Sequence, residues 1–363
     1  MKKVLITLGH PAHFYIYKNV IPRLKADGYS VEILIKKKDV LEDLLKNAQI
    51  PYHNILKEGR KDSKFAMAWA MLKRTWRIGK FCMKYKPDII TGTSVENSYI
   101  GKLFRRPVIN VNEDDAAVVP LYAKLGYPWA TEILTPVVCD NGKWNDKSTK
   151  YEGYHELAYL HPDNFTPDKK IVEKYFSADE PYFIIRFAKL TAHHDKGVKG
   201  INAGIATRII EILKPHGRVF ITSERALEPS LEQYRIAINP LDMHHIMAFA
   251  SIYIGDSQTM AAEAGVLGVP FVRFNDFVGR ISYLAELEDK YQLGYGVPTN
   301  EENKLYEVIE KLMSMENRKE VFNERRNLML KDKIDVAEFL TWYIENYPES
   351  KTTEYKASGT IKN

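Results

Sequence analysis

A chain of 363 residues, 45% apolar and 27% charged, has the composition of an ordinary globular protein and is too long for one core of common size, so two domains are expected. The formal net charge of +5 is too small to argue for nucleic acid, and the two cysteines, Cys82 and Cys139, exclude a disulfide scaffold and a cysteine-based zinc site. No stretch approaches the roughly 18 apolar residues that a membrane span requires. The start, MKKVLITLGHPAH, holds five apolar residues before Gly9 and reads as a first strand rather than a signal peptide, so a cytoplasmic protein, or one at the inner membrane face, is expected.

The elements alternate along the chain. Residues 4–8 read as a buried strand and 9–13 as the loop at its carboxyl end. A helix over 15–26, closed by Asp27-Gly28, leads to a strand at 30–35 and completes a βαβ unit. Helices at 40–47 and 64–84, a strand at 88–91, a helix at 96–104 and a strand at 107–111 continue the pattern, which ends in Asn112-Glu113-Asp114-Asp115. From 144 to 180 it loosens into a Pro-, Asp- and Tyr-rich stretch, read as the connection between domains. The second half reads as strands at 182–187, 218–222, 235–238, 252–254, 271–274 and 295–297, with helices at 200–214, 242–250, 259–267 and 305–314. A last amphipathic helix spans 336–347, and the tail from 349 lacks periodic apolar residues, as a disordered segment does.

The expected fold is therefore α/β: two Rossmann-like, doubly wound parallel-sheet domains over 1–165 and 166–330, facing a central ligand cleft at the carboxyl ends of their strands. The helix within 331–348 is free to pack back on the first domain, and 349–363 is the disordered tail. The first strand is not followed by G-x-G-x-x-G, and no P-loop lysine motif is present, which argues against a standard NAD site and a P-loop ATPase.

Residues 255–275, GDSQTMAAEAGVLGVPFVRFN, carry the most functional information. A strand breaks at Gly255-Asp256-Ser257 and a helix begins, aiming free backbone N–H groups and the positive helix end at one point, an arrangement suited to phosphate. Glu263 lies about two turns into the helix, where a carboxylate can reach ribose hydroxyls of the same ligand.

Residues 238–274, INPLDMHHIMAFASIYIGDSQTMAAEAGVLGVPFVRF, resemble the nucleotide-diphosphate site of GT-B proteins and are most like that of the non-hydrolysing UDP-N-acetylglucosamine 2-epimerases. Residues 9–33, GHPAHFYIYKNVIPRLKADGYSVEI, are similar to the Gly-His loop and first helix of GT-B glycosyltransferases. An uncharacterised bacterial and archaeal GT-B-like family begins with the same His-Pro-Ala-His. The resemblance implies that Ser257, Gln258 and Thr259 bind the diphosphate and Glu263 the ribose, and that Pro240-Leu241 and the loop from Ser223 line the base pocket. The epimerases carry Gly-Gly where this chain has Gln258-Thr259, which narrows the space beside the pyrophosphate.

The epimerases also use acidic residues on two N-domain loops, one of them a Gly-Asp-Thr. Here the first loop reads Gly92-Thr93-Ser94 and lacks the acid, whereas the second keeps Glu113, Asp114 and Asp115. Epimerisation needs carboxylates both to eliminate and to re-add UDP; glycosyl transfer needs one base for the acceptor hydroxyl. The resemblance thus implies a metal-independent glycosyltransferase in glycan assembly, with inversion the simpler course. An epimerase and a non-catalytic nucleotide-sugar-binding protein remain as alternatives.

Several residues have two readings. His13 follows the first strand and can act as base; His10 or His13 can equally serve only to hydrogen-bond loop backbone. Glu113, Asp114 and Asp115 form either a base whose pKa is raised by repulsion or a solvated turn. Arg186, inside an apolar strand, pairs with phosphate or with a carboxylate. Thr93, Ser94, His10, Asp115 and His194 are weaker candidates for sugar or acceptor contacts. His193-His194-Asp195-Lys196 has no matching second ligand pair, so no metal and no cofactor beyond the donor substrate are expected.

Residues 60–86 hold nine Lys or Arg and one Asp, a local charge of +8. Lys73, Arg77, Lys80 and Lys84 recur at helical spacing, and Trp69, Leu72 and Trp76 flank them. Such a face suits an anionic membrane or a polyprenyl-phosphate acceptor, or else it is the solvated side of a core helix. No recognised nucleic-acid module accompanies it.

Overall fold

The structure, a computed structural model, describes residues 1–36, 40–56, 64–177, 179–188 and 200–356, without the side chains of 56 and 64–68. The chain divides into two compact units: Met1–Tyr159 with the described residues from Ile334 onward, and Leu160–Lys333.

In the first unit seven strands form one sheet: β1 (Lys3–Leu8), β2 (Ser30–Lys36), β3 (His53–Leu56), β4 (Ile89–Gly92), β5 (Val108–Val111), β6 (Glu132–Pro136) and β7 (Ser148–Tyr151). Their order is β3-β2-β1-β4-β5-β6-β7 and every pairing is parallel. The central strands are covered on both faces, which is why they read as continuous apolar runs: all of β1 beyond Lys3 is buried. The order reverses between β1 and β4, where loops at the carboxyl ends of an open parallel sheet splay apart and ligands commonly bind.

The second unit holds β8 (Tyr182–Phe187), β9 (Arg218–Ser223), β10 (Ile252–Gly255), β11 (Phe271–Phe274) and β12 (Gly294–Val297), in the order β12-β11-β10-β8-β9, again all parallel. Its reversal lies between β8 and β10.

Some elements differ from the sequence reading. Residues 148–151, within the stretch read as a connector, are β7, hydrogen-bonded to β6; Ser-Thr-Lys-Tyr has one apolar member and makes no apolar run. The expected strand at 235–238 is absent, and Arg235 makes one isolated bridge to Ile221 after a short 3-10 helix, Pro229–Tyr234. The helix Arg318–Asp332 escapes periodicity because only Phe322, Met329 and Leu330 are buried along its 15 residues.

The helix Val336–Glu345 belongs to the first unit. Its cap, Asp335, accepts from the amides of Ala337 and Glu338 and pairs with Arg23 at 3.0 Å. The Tyr29 hydroxyl donates to the Glu345 carbonyl at 3.3 Å. Residues read as a tail from 349 include a 3-10 turn, Glu349–Lys351, and Tyr355, whose ring packs edge-on to Phe339 and tilted against Trp342; 357–363 lie outside the described residues. Among the described residues no helix is long and apolar enough to cross a membrane.

Candidate functional site

In the second unit β10 ends at Gly255, beside Arg186 in register on β8. A Cβ at Gly255 would lie 2.5 Å from the Tyr253 hydroxyl and 2.9 Å from Arg186 Cβ, so only glycine lets the chain turn against β8 here. The helix Gln258–Val266 follows, capped by Ser257, whose Oγ accepts from the Met260 amide at 3.4 Å. The amides of Gln258 and Thr259 sit in the first turn, where no intrahelical carbonyl is available to them.

Asp256, fully buried behind this turn, fastens its surroundings. It accepts from the amides of Ala188 (2.6 Å) and Ile201 (3.3 Å) and from Arg225 Nη2 (3.3 Å). Burial pushes its carboxyl up to about 6, against the pull of the Ala188 amide and Arg225. Arg186 donates to Glu224, while its Nε is buried without a hydrogen-bond partner among the described residues. The carboxylate pairing expected as one reading of Arg186 is present, to Glu224, and its Nε–H is not engaged by it.

Glu263 is buried, with Oε1 2.9 Å from His244 Nε2. His244, buried on the helix Met243–Ala248, is the partner that orients this carboxylate. Ser223 closes a turn with Arg225, accepting from its amide at 3.1 Å and donating to its carbonyl at 2.7 Å. Pro240 and Leu241 are half-buried just before the helix Met243–Ala248, and the Leu241 amide donates to Asn239 Oδ1. His194 lies outside the described residues.

In the first unit the Gly9–His13 loop follows β1. His10 caps the helix Pro11–Lys18, its Nδ1 accepting from the Ala12 amide, and His13 Nδ1 accepts from the Gly9 amide, both at 3.2 Å. With Nδ1 accepting, the neutral His13 ring carries its proton on Nε2 and is a donor, which suits it to an oxygen of a ligand better than to taking a proton.

The loop after β4 begins at Gly92, φ +125°, where a Cβ would meet the Thr7 carbonyl at 2.4 Å. Thr93 Oγ1 donates to the Val111 carbonyl (2.7 Å) and Ser94 Oγ to Glu96 Oε2 (2.6 Å). Glu96, which the sequence reading passed over, is buried against Arg74 at 2.5 Å. Burial raises its carboxyl, but Arg74 and Ser94 outweigh that and hold it below the ordinary range, so it stays ionised.

The loop after β5 carries the acidic cluster. The His155 amide donates to Glu113 Oε2 at 2.9 Å, and the His155 ring Nδ1 stands 3.2 Å from Oε1. One residue thus grips both oxygens of Glu113 and fixes its plane. His155 Nε2 is buried without a hydrogen-bond partner among the described residues. Asp115 is buried and accepts from the Asp140 amide at 2.7 Å, while the Cys139 thiol donates to the Glu113 carbonyl at 2.8 Å. The contacts of His155 and Cys139 with the acidic loop are not legible in the sequence because both residues lie far along the chain from it.

Asp114 is pushed up to about 7, first by burial and then by the charge of Glu113. Its proton is therefore held more tightly folded than unfolded, against a starting value of 3.8. The folded state loses stability as pH rises from about 4 to about 7, and the penalty is constant above that. Asp114→Asn should accordingly stabilise the protein at pH 8, by on the order of 1–3 kcal/mol, and give no such gain at pH 4. Urea unfolding at the two pH values checks this; equal effects at both would contradict it.

Among the described residues no group of three or more His, Cys, Asp or Glu stands where it would hold a metal ion. A family model described as a protein of unknown function, DUF354, matches residues 2–336. The chain belongs to the DUF354 family. No curated protein matches this DUF354 chain in sequence.

Solved structures do match it. A UDP-GlcNAc 2-epimerase from Neisseria meningitidis, bound to UDP-GlcNAc, superposes with a TM-score of 0.68 at 16% identity over 94% of this chain and 99% of that one. MnaA of S. aureus, with UDP, gives 0.70 at 14% over 99% and 100%. The spinosyn rhamnosyltransferase SpnG, complexed with thymidine diphosphate, gives 0.65 at 14% over 95% and 100%. At these identities the likeness establishes the fold: the DUF354 chain has two parallel sheets with interleaved helices, as in GT-B proteins.

Proposed function

We propose that this DUF354 protein is a glycosyltransferase that moves a sugar from a nucleotide diphosphate, most simply UDP, to a hydroxyl of a glycan or polyprenyl-linked acceptor. The observation that carries the proposal is the asymmetry between the two loops of the first unit. After β5, Glu113 is held in one plane by His155. After β4, Thr93 and Ser94 are bound to the Val111 carbonyl and to Glu96, and Glu96 is tied to Arg74. One oriented carboxylate meets the needs of transfer; a second, required for elimination and re-addition at the sugar, is engaged elsewhere.

In this mechanism Glu113 accepts the proton of the acceptor hydroxyl as that oxygen attacks C1 of the sugar. The bond from C1 to the diphosphate oxygen breaks, the anomeric centre inverts, and the nucleoside diphosphate leaves as an anion. The amides of Gln258 and Thr259, the positive end of their helix and the Arg186 Nε–H, which has no hydrogen-bond partner among the described residues, would stabilise that charge. Glu263, oriented by His244, would accept from the ribose hydroxyls. The positions of Pro240, Leu241 and Ser223 suit the base, and the Nε2–H of His13 or His10 suits an oxygen of donor or acceptor.

Isomerisation at C2 of the same donor is the second reading, favoured by Glu96 lying two residues beyond Ser94. Release of the nucleoside diphosphate from a panel of UDP- and dTDP-sugars, with and without glycan and polyprenyl-linked glycan acceptors, decides between them. Release that requires acceptor is expected. Conversion of a donor to its C2 epimer without acceptor would overturn the proposal, and nucleotide binding without turnover across the panel would mark a non-catalytic binding protein.

A further inference from the structure

The helix Lys64–Tyr85 presents a face that the proposed reaction does not use. Its inward side is settled by packing: Ile78 and Cys82 are buried in the core of the first unit, Arg74 pairs with Glu96, and Arg77 donates to the Ile55 carbonyl. The basic stripe read from the sequence is thereby reduced, because Arg77 turns toward the protein. The opposite side carries Trp69, Leu72, Trp76 and Met83, which are 62, 59, 65 and 58% exposed. At 100° per residue these four fall within one arc of about 60°, spread along about 21 Å of helix. Lys73, Lys80 and Lys84 lie along one edge of that arc, and residues 69–84 contain no Asp or Glu. Lys80 Nζ stands 5.6 Å over the Trp76 ring.

We propose that this face docks the protein on an anionic lipid bilayer, with the helix lying in the plane of the interface. Three features select lipid over another occupant. The apolar members are dominated by two tryptophans, whose amphipathic rings settle at headgroup depth. Lysine stems can lie along the apolar surface while their ammonium groups reach lipid phosphate at the same level. The strip is narrow, one side chain wide, with lysines along one edge and no acid to pair with them, so an antiparallel second copy of the same face would oppose lysine to lysine. The docking is independent of the proposed transfer, and its failure would leave that reading standing.

The test uses the full chain and sedimentation with vesicles of phosphatidylcholine alone or with 30% phosphatidylglycerol. Binding to the anionic vesicles should exceed that to neutral ones at least tenfold in 50 mM NaCl and fall at least tenfold in 500 mM. Tryptophan emission should shift to the blue on binding and be quenched by brominated acyl chains. Trp69→Ser combined with Trp76→Ser should lose at least tenfold in binding, with the circular dichroism and Tm of the parent, since both side chains are exposed. Lys80→Glu with Lys84→Glu should lose the preference for anionic lipid. Equal binding to both vesicle types, no binding to either, or wild-type binding by the double tryptophan variant would overturn the proposal. So would a lipid-free dimer, by sedimentation velocity, that the tryptophan substitutions dissociate.

Discussion

Glu113→Gln should lower kcat by about two to four orders of magnitude while changing the Kd for UDP less than about twofold. The substitution keeps size and removes the carboxylate whose two oxygens the amide and ring nitrogens of His155 hold in place. A glutamine amide in that position also turns an NH2 toward one of the two donors of His155, so orientation is lost together with basicity. His155→Phe preserves bulk but leaves Glu113 with no ring donor, and should reduce kcat by about tenfold with an altered pH profile. Steady-state kinetics beside UDP titration calorimetry distinguish these effects. Retention of more than half the parent kcat in Glu113→Gln would remove Glu113 from the reaction.

The second large effect is expected at Glu263. Glu263→Ala should raise the Kd for UDP about ten- to a hundredfold, the consequence of losing a charge-assisted hydrogen bond worth about 1.5–3 kcal/mol. It should also destabilise the fold by about 1–3 kcal/mol, because His244 is buried and faces Glu263 at 2.9 Å. Inhibition by inorganic pyrophosphate, which has no ribose, should remain unchanged. A variant that weakened pyrophosphate as much as UDP would place Glu263 on the diphosphate instead.

What could be read from sequence was governed by how local its signals are. The turn from β10 into the helix Gln258–Val266 announces itself through adjacent residues: an apolar run, Gly255, a capping Ser257 and then helix formers. Glu263 follows from helical spacing, but its partner His244 does not, since a buried pair joining two helices leaves no mark in either one. The same holds for His155, which meets Glu113 across 42 residues and sits just after β7, a strand too polar to be noticed.

Periodicity also fails where a helix is apolar on opposite sides. Trp69 and Trp76 mark one face of Lys64–Tyr85, Ile78 and Cys82 the other, and only the packing of the latter pair beside β1, β2, β4 and β5 decides which is inside. The acid missing from Gly92-Thr93-Ser94 was legible as an absence. The presence of ionised Glu96 bonded to Ser94 was not, because it depends on Arg74, 22 residues earlier on a different helix.

The distinction between transfer and isomerisation rests on the fate of one bond. Inverting a sugar at C2 breaks its C2–H bond and returns a solvent proton, whereas displacement at C1 leaves that bond untouched. Incubating UDP-sugars in D2O, with and without acceptor, and following C1 and C2 by proton NMR reports this directly. The C2 proton should be retained throughout, with a new glycosidic C1 signal appearing only when acceptor is present. Deuterium entering C2 in the absence of acceptor would contradict the account.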